Sequence, residues 1–309
     1  MHHDLRSLAV VVLALVGCTE GLDPPSIVVT PRVLAVVAEP PEVAPGVDVV
    51  VDAMISIPED VARPLTLRWQ SCLSVQDVLR ASGFRGIEVP GRPDCALQTL
   101  ALGEPYVVRG ERTQALIEMV RSLAMLGAFD PALVEGVLAT AGLAYFVEVD
   151  VLDASGEVVA SAYKRVAMTT RATPTTNPPS PTFRFGETEI VLSDSERFTC
   201  VAIDGATPQV APGAEIELAP TLPEGVEIEP WIETFPVFDY TGGLTTASEN
   251  AYYTWFATAG AIGEHTTRPP ERETTWRAPT APGPQTLWLV VRDGHLGQSA
   301  CRLDVIVGP

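Results

Sequence analysis

Histidine is scarce in this sequence, and the familiar catalytic motifs are missing. Only four histidines occur in 309 residues, and two of them, His2 and His3, stand at the very start. No Gly-X-Ser-X-Gly elbow, phosphate-binding loop, His-Glu-X-X-His helix or Cys-X-X-Cys pair is present. The residues that serine hydrolases, nucleotide-binding proteins, zinc proteases and thiol oxidoreductases need are therefore lacking. The sequence predicts no catalytic residue, no cofactor and no metal site.

Cations are scarce as well. Lys and Arg number 20 against 39 Asp and Glu, which gives a formal net charge of −19. Because nucleic acids and anionic lipid head groups attract basic surfaces, this balance excludes nucleic acid as a partner. Acidic residues crowd together at Glu224, Glu227, Glu229 and Glu233. Carboxylates in such a run are solvated by default, although two of them could serve as acid and base in an enzyme.

Long apolar runs are absent beyond the first seventeen residues. Near the start, the single cation Arg6 is followed by nine apolar residues at positions 8–16. At helical rise this run covers roughly half of a hydrocarbon core that is ~30 Å thick. It is therefore typical of an export signal and not of a transmembrane helix.

Leu15-Val16-Gly17-Cys18 ends this run and resembles the lipobox of bacterial lipoproteins. The resemblance implies that the Cys18 thiol carries a diacylglycerol, that residues 1–17 are a removed lipoprotein signal peptide, and that residues 18–26 form a tether. In lipoproteins of two-membrane bacteria an Asp after the cysteine resembles an inner-membrane retention signal, whereas this chain has Thr19. We therefore expect a lipid-anchored outer-membrane protein that faces the periplasm or the cell surface. An ordinary secretory signal with an incidental cysteine is the alternative.

Four further cysteines follow, namely Cys72, Cys95, Cys200 and Cys301. An even number in an exported protein favours disulfides, and three pairings are possible. If the chain consists of two separate halves, the pairs are Cys72 with Cys95 and Cys200 with Cys301. A zinc site is the competing interpretation, but no two of these cysteines have close ligand spacing.

A short repeat divides the chain. Val43-Ala44-Pro45-Gly46 recurs as Val210-Ala211-Pro212-Gly213, and an alternating run follows each copy. Each half also contains a tryptophan segment typical of a strand, and each ends in two apolar runs joined by a turn. Period-two alternation and Asp- and Gly-containing turns are strand and hairpin signals. The sequence therefore predicts a mainly β fold with two copies of one β-sandwich.

The boundaries of these copies follow from composition. Residues 169–181 contain four prolines together with threonines, serine and asparagine. Such a stretch is typical of an extended, semi-rigid spacer. We therefore place the first domain at residues 27–168, the linker at residues 169–181 and the second domain at residues 182–309.

Helical periodicity interrupts the β pattern in the first domain. Between residues 111 and 128, apolar Leu116, Val120, Leu123, Ala124 and Met125 recur at three- to four-residue intervals. Asp130-Pro131 then supplies an N-cap and a first helical residue for a second helix that runs to about residue 140. The sequence predicts a helical hairpin inserted at about residues 111–141, which either contacts a partner or caps one end of the sandwich.

Longer stretches carry a further resemblance. Residues 32–46 look like the opening of Ig-like modules in lipoproteins of myxobacterial type. In the second half, Trp255-Phe256-Ala257-Thr258-Ala259-Gly260, Thr275-Trp276-Arg277-Ala278-Pro279 and Val290-Val291-Arg292-Asp293-Gly294 are similar to PKD-like and other Ig-like extracellular domains. The resemblance implies two tandem Ig-like domains outside the cytoplasm, and it implies no reaction. The helical hairpin and the loop between Cys72 and Cys95 depart from a minimal Ig-like module.

The remaining polar and aromatic residues give little information about function. Asp153 and Asp293 stand at corresponding turns, where turn formation is favoured over calcium binding. His295 lies in the second of these turns and needs no special role as an exposed polar residue. Aromatic residues such as Phe235 and Tyr252 favour core or loop packing over a surface for stacking sugars or peptides.

Two function classes remain. The favoured hypothesis is a non-enzymatic envelope lipoprotein that presents Ig-like domains to a protein or glycan partner. The alternative is a carbohydrate-active or other periplasmic enzyme with a carboxylate site at a loop end. Converging carboxylates about 5–10 Å apart in an open cleft would indicate the enzyme.

Overall fold

The fold is mainly β. A computed structural model describes residues 24–58, 61, 63–73, 95–127, 130–222, 229–238 and 244–308. Within these residues the chain forms twenty-one strands and two helices. Neither of these helices is long and apolar enough to cross a bilayer.

The elements of the N-terminal half are β1 (Arg32–Glu39), β2 (Glu42–Val43), β3 (Val49–Ser56), β4 (Thr66–Cys72), β5 (Cys95–Ala101), β6 (Tyr106–Val108), α1 (Gly110–Met125), α2 (Pro131–Ala139), β7 (Leu143–Leu152) and β8 (Val158–Met168). The elements of the C-terminal half are β9 (Phe183–Phe185), β10 (Thr188–Leu192), β11 (Thr199–Ala202), β12 (Gln209–Val210), β13 (Glu215–Pro220), β14 (Thr234–Phe238), β15 (Leu244–Ser248), β16 (Tyr252–Ala257), β17 (Ala261–Ile262), β18 (Thr266–Thr267), β19 (Thr274–Arg277), β20 (Gly283–Arg292) and β21 (Gln298–Val307).

Two sheets make up the N-terminal half. Strands β1, β3 and β6 form a three-stranded sheet in the order β1-β3-β6, and a five-stranded sheet has the order β2-β8-β7-β4-β5. Side chains from both sheets meet in one core. Within it the fully buried Trp69 stacks on Tyr106 with ring centroids 5.6 Å apart.

Strand β1 is buried on both of its faces. Val36 belongs to the core between the two N-terminal sheets. The neighbouring Val37 instead joins a separate apolar cluster that contains Phe256 and Trp288 of the C-terminal half. A strand with two buried faces needs apolar residues at successive positions, which explains the unbroken apolar run at residues 33–38.

Helices α1 and α2 lie between β6 and β7 in the chain. The predicted apolar face of α1 is confirmed at Leu116 and Val120, which are 4% and 0% exposed. Met125 is 78% exposed, so its predicted place on that face is wrong, and Ile117 is fully buried instead. Helix α1 ends at Met125, and a side chain at the last helical residue can point past the packed surface.

Helix α2 begins with the predicted N-cap at Asp130. The Asp130 side chain accepts a hydrogen bond from the backbone N–H of Ala132 at 2.9 Å, and Pro131 occupies the first turn. This satisfies one of the amides that a helix start leaves unpaired. The two helices are also joined at the surface, where Arg121 Nε contacts Glu135 Oε1 at 2.6 Å.

One long hydrogen-bonded path links most strands of the C-terminal half. Its order is β17-β19-β13-β9-β10-β11-β21-β20-β16-β18, and β12 pairs beside β21. A sandwich has two separate sheets, whereas here the parallel pairing of β11 with β21 keeps the path continuous. The core inside it contains Trp255, Trp276 and Phe183, and β14 pairs with β15 outside this path.

The sequence repeat corresponds to one repeated structure. In both copies the residue after the glycine donates its backbone N–H to the alanine carbonyl three positions earlier, Val47 to Ala44 at 3.2 Å and Ala214 to Ala211 at 3.1 Å. Proline at the second position and glycine with positive φ at the third define a type II turn, and the two glycines have φ of 88° and 71°. The two-residue strand before each turn, β2 or β12, pairs in parallel with the last strand of its own half, β8 or β21.

Candidate functional site

The predicted site residues have two different outcomes. Cys18, with the signal peptide and the first part of the tether, lies outside the described residues. Disulfides join Cys72 to Cys95 and Cys200 to Cys301, which is the pairing expected for two separate halves. The first links directly opposed residues of β4 and β5, and the second joins β11 to β21 within the core.

The two turn aspartates stabilise their own turns. Asp153 Oδ1 accepts backbone N–H bonds from Ser155 and Glu157, at 2.8 and 2.9 Å. Asp293, only 1% exposed, accepts from the backbone N–H groups of His295 and Gly297 at 2.7 and 2.6 Å. Within the described residues, no three His, Cys, Asp or Glu side chains group as a metal site.

His295 is not the exposed turn residue that the sequence indicates. Its ring stacks on Phe235 with centroids 3.5 Å apart. Burial, together with the nearby cations Arg165, Arg171 and Lys164, lowers the pKa of His295 to about 4. The histidine is therefore neutral at physiological pH and packs as an aromatic ring.

The acidic run at residues 224–233 divides into separate environments. Glu224 and Glu227 lie outside the described residues. Glu233 accepts a hydrogen bond from Thr176 Oγ1 at 2.8 Å, whereas Glu229 is 2% exposed. The expectation that every carboxylate in this run is solvated is therefore wrong for Glu229, which is buried inside the protein.

A polar network holds residues 169–181 between the two halves. The buried Glu42 carboxylate accepts from the guanidinium of Arg171 and from the backbone N–H of Thr175 at 2.6 Å. Asn177 donates to the carbonyl of Ala38 at 2.7 Å and accepts from the backbone N–H of Gln298 at 2.9 Å. The segment predicted as a spacer thus bonds to both halves and fixes their relative position.

A groove of about 820 Å³ opens where the two halves meet. Residues 55–58 and 63 of the N-terminal half line it, together with residues 282–286, 288, 302 and 304 of the C-terminal half. Trp288 on its wall is 4% exposed, and its indole Nε1 has no hydrogen-bond partner among the described residues. The volume falls within the range of about 300–1,000 Å³ that is usual for ligand sites.

The groove is less acidic than the chain as a whole. Arg63, Arg302 and Asp304 all line it, and Arg302 Nη2 lies 3.1 Å from Asp304 Oδ2. Thr286 also donates to Asp304, at 2.9 Å. Two arginines and one aspartate favour a neutral or anionic occupant over a cationic one.

A second, smaller pocket lies in the C-terminal half near the starts of β14 and β16. Its volume is about 230 Å³, and its lining includes Glu229, Ser248, Glu249, Asn250, Tyr252 and Arg268. Sequence reasoning missed Glu249, since its neighbours in the chain carry no motif and only folding brings it beside Glu229. Glu229 and Glu249 therefore line one pocket, although they differ in their contacts.

The Glu229 carboxylate is fully engaged. Arg272 donates to both of its oxygens, with Nε to Oε1 at 2.6 Å and Nη2 to Oε2 at 3.3 Å. Tyr253 Oη also donates to Oε1 at 3.0 Å. Burial and the Glu229 charge raise the pKa of Tyr253, so the phenol keeps the proton that it donates.

The Glu249 carboxylate is only half engaged. Its Oε2 accepts the backbone N–H of Glu233 at 3.0 Å, whereas its buried Oε1 has no partner among the described residues. Burial, with Asp293 and Glu233 nearby, raises the pKa of Glu249 to about 7. The side chain is 4% exposed, so bulk water solvates it poorly.

No protein-family model matches the sequence, and no curated protein matches it. Solved structures with some likeness include the FN1–FN3 domains of chicken CNTN1, at 10% identity and a TM-score of 0.22 over 90% of this chain and 64% of that one. The D0-D1 domain of Intimin matches at 10% identity and 0.21, over 90% and 99%. Fibronectin(III)-like modules of Clostridium thermocellum CbhA match at 9% and 0.23, over 88% and 94%. Likeness at this level supports no conclusion about the function of this chain.

Proposed function

We propose that this chain is a non-enzymatic lipoprotein of the outer membrane, which binds an envelope protein or glycan in the groove between its two halves. The observation that carries the proposal is the groove itself. Its walls come from both halves, and a buried polar network and an apolar cluster hold those halves together. A preorganised site loses less free energy on binding than one that must form around its ligand.

We propose further that the halves are two tandem Ig-like sandwiches, the first with α1 and α2 as an insert. In the second, the parallel pairing of β11 with β21 would join the two layers into one path. The support is the shared plan. Each half has the same proline-glycine turn after a short strand that pairs with its last strand. Each also has one disulfide and a buried tryptophan on a central strand, Trp69 or Trp255.

Charge reversal in the groove tests the binding proposal. The double variant Arg63→Glu, Arg302→Glu should lose a neutral or anionic partner, because it replaces two cations on the groove wall with anions. The matched control is Arg184→Glu, Arg277→Glu, which reverses two exposed arginines of the C-terminal half. Both are compared by pull-down from solubilised envelope proteins and, separately, from purified envelope glycans. If the groove variant retains the same partners as the control, the groove is not the binding site.

The proposed lipid anchor at Cys18 can be tested by detecting its acyl chains. Mass spectrometry of the N-terminal peptide from the native host should find acyl chains on Cys18, and Cys18→Ala should move the protein from the membrane fraction to the soluble fraction or leave its signal uncut. Stable anchoring needs more than one acyl chain. An unacylated Cys18 in membrane-bound protein would contradict this part of the proposal.

The enzyme alternative has one observation in its favour, namely that Glu229 and Glu249 line the same pocket. The engagement of both Glu229 oxygens by Arg272 supports the non-enzymatic function, since hydrolysis needs two carboxylates free to exchange roles with substrate or water. A panel of chromogenic glycosides checks this directly. Turnover that Glu249→Gln abolishes would favour the enzyme.

A further inference from the structure

We propose that the side of the five-stranded sheet that faces away from the core binds an uncharged polysaccharide chain. This surface, the open face, consists of Tyr163 on β8, Glu148 and Asp150 on β7, Arg68 and Gln70 on β4, and Leu97 on β5. None of these residues lines the groove between the halves. The inference therefore goes beyond the proposed function and depends neither on the groove nor on the lipid anchor.

Strand alternation and register bring these side chains together. On β4, Trp69 is fully buried in the core, so its two neighbours in the strand point to the opposite side of the sheet. From β8 to β5 the pairing aligns one row of outward residues, namely Tyr163, Glu148, Gln70 and Leu97. Adjacent strands lie about 4.8 Å apart, so this row spans roughly 14 Å. An extended chain can lie along a row of this length.

The row is accessible to a ligand. Tyr163 is 69% exposed and Leu97 is 62% exposed, and Glu148 between them is exposed as well. Among the side chains that the structure describes, Tyr163 is the only aromatic one exposed to this degree. A ligand can therefore reach the open face without any movement of the core.

The ring of Tyr163 is ordered before a ligand arrives. It contacts Phe146 on β7 with centroids 5.5 Å apart and planes at 86°, which is the edge-to-face geometry that aromatic pairs favour. A side chain already held in place loses less conformational entropy on binding. The face of an aromatic ring is apolar and carries partial negative charge, so it packs against the C–H groups on one side of a sugar ring.

Polar groups follow beside this ring. Arg68 donates to Asp150 Oδ2 from Nε and Nη2, at 3.2 and 2.7 Å, and the two side chains are still 36% and 27% exposed. Glu148 adds an exposed carboxylate, and the amide oxygen of Gln70 can accept a hydrogen bond. Since sugar hydroxyls both donate and accept, they match this mixture of groups.

A protein partner fits the open face less well than a glycan does. The centre of a stable protein interface is depleted of charged residues, whereas Glu148, Arg68 and Asp150 lie in the middle of this surface. A protein would have to remove the water around these charges, which costs free energy. The hydroxyl groups of a polysaccharide can replace that water.

The charges also favour an uncharged glycan. An anionic polysaccharide would be repelled by Glu148 and by the net charge of −19. Because Arg68 neutralises Asp150, only the solvated carboxylate of Glu148 remains to attract a cation. Binding therefore depends on the aromatic ring and on hydrogen bonds more than on charge.

The test is affinity electrophoresis of the full-length protein in native gels, in a detergent without a sugar head group. The gels contain hydroxyethyl cellulose, xyloglucan, mannan or dextran as uncharged probes, alginate as an anionic probe or DEAE-dextran as a cationic one. We expect at least one uncharged polysaccharide to slow migration in proportion to its concentration. Retardation by the charged polysaccharides alone, or by none of the six, would overturn the proposal.

Truncation of the exposed ring locates the site. Tyr163→Ala should raise the dissociation constant for that polysaccharide roughly tenfold, the ratio that corresponds to about 1.4 kcal/mol, whereas Tyr163→Phe should keep most of the binding because the ring remains. The matched control is Ile203→Ala, which truncates a side chain that is 68% exposed in the C-terminal half. Unchanged binding by Tyr163→Ala, or an equal loss in Ile203→Ala, would overturn the proposal.

A second pair of variants tests the polar part of the row. Glu148→Ala should weaken binding, whereas the control Glu157→Ala removes the same charge from an exposed turn after β7 and should bind like the wild type. The two variants have equal charge, so their mobilities without polysaccharide are directly comparable. Wild-type binding by Glu148→Ala would contradict the assignment of the open face. None of these substitutions touches the groove, so the result is separate from the charge-reversal test there.

Discussion

Replacing Glu42 with glutamine tests whether the polar network at the junction holds the two halves together. Glu42 is 1% exposed, and its partner Arg171 is only 11% exposed. Thr175 donates both its backbone N–H and its hydroxyl to the same carboxylate oxygen. Glutamine has nearly the same shape, but it leaves the buried guanidinium without a counter-charge. Removing one partner of a buried ion pair costs about 3–5 kcal/mol, so we expect Glu42→Gln to lower the free energy of unfolding by about that amount.

The assay is guanidinium unfolding of the disulfide-intact protein at pH 7, followed by tryptophan fluorescence. The matched control is Glu135→Gln, which makes the same chemical change in the Arg121–Glu135 pair, where the side chains are 40% and 53% exposed. Exposed pairs contribute about 0–1 kcal/mol, so the control should unfold at nearly the wild-type denaturant concentration. If the two variants lose equal stability, the junction network does not hold the halves together and the reasoning is refuted.

Three further predictions concern pH, cross-links and the repeated turn. The folded state prefers Glu249 protonated, so the contribution of this group to the free energy of unfolding is full below about pH 4.5 and is lost as the pH rises through about 7. In urea unfolding, Glu249→Gln should therefore stabilise the protein at pH 8 by up to about 3 kcal/mol and change its stability little at pH 4. The control Glu187→Gln, at an exposed position, should show no such pH dependence. The Cys200–Cys301 disulfide closes a loop of 101 residues and the Cys72–Cys95 disulfide one of 23, which correspond to about 5 and about 3 kcal/mol in the loop-closure model. Replacing the Cys200–Cys301 pair by serines should therefore lower the melting temperature more than replacing the Cys72–Cys95 pair. The reverse order would contradict the model. Gly213→Ala should cost about 1 kcal/mol because the residue has φ of 71°, while Gly136→Ala, inside α2 with no neighbour within 4 Å of the added carbon, should be neutral or stabilising.

Local signals in the sequence predicted much of the secondary structure. The final hairpins appear as β7 with β8 and β20 with β21, because period-two alternation around a turn needs little tertiary help. The proline-glycine turns and the Asp130 cap follow equally from local chemistry. At Met125 the helical pattern was misleading, since periodicity shows which residues share a face but not where the packed surface ends.

The candidate sites were not predictable in the same way. Glu42 and Arg171 are 129 positions apart in the chain, and neither belongs to a motif. Glu229 and Glu249 come together because β14 and β15 form a hairpin that places Glu249 next to Glu233. There the Glu249 backbone N–H donates to the Glu233 carbonyl, and the Glu233 backbone N–H donates to the Glu249 carboxylate. Burial then removes these groups from water, and burial is a property of the packed molecule that no single segment carries.

The amino-acid sequence alone determined the acidic charge, the β-rich character and the turns, since these depend on composition and on neighbours in the chain. Only the tertiary structure decided that the outer face of β1 is covered by Phe256 and Trp288, that a groove opens at this junction and that Glu249 lies buried with one free oxygen. The physical reason is that dihedral preferences and hydrophobic periodicity act over a few residues, whereas desolvation and packing depend on which distant segments meet.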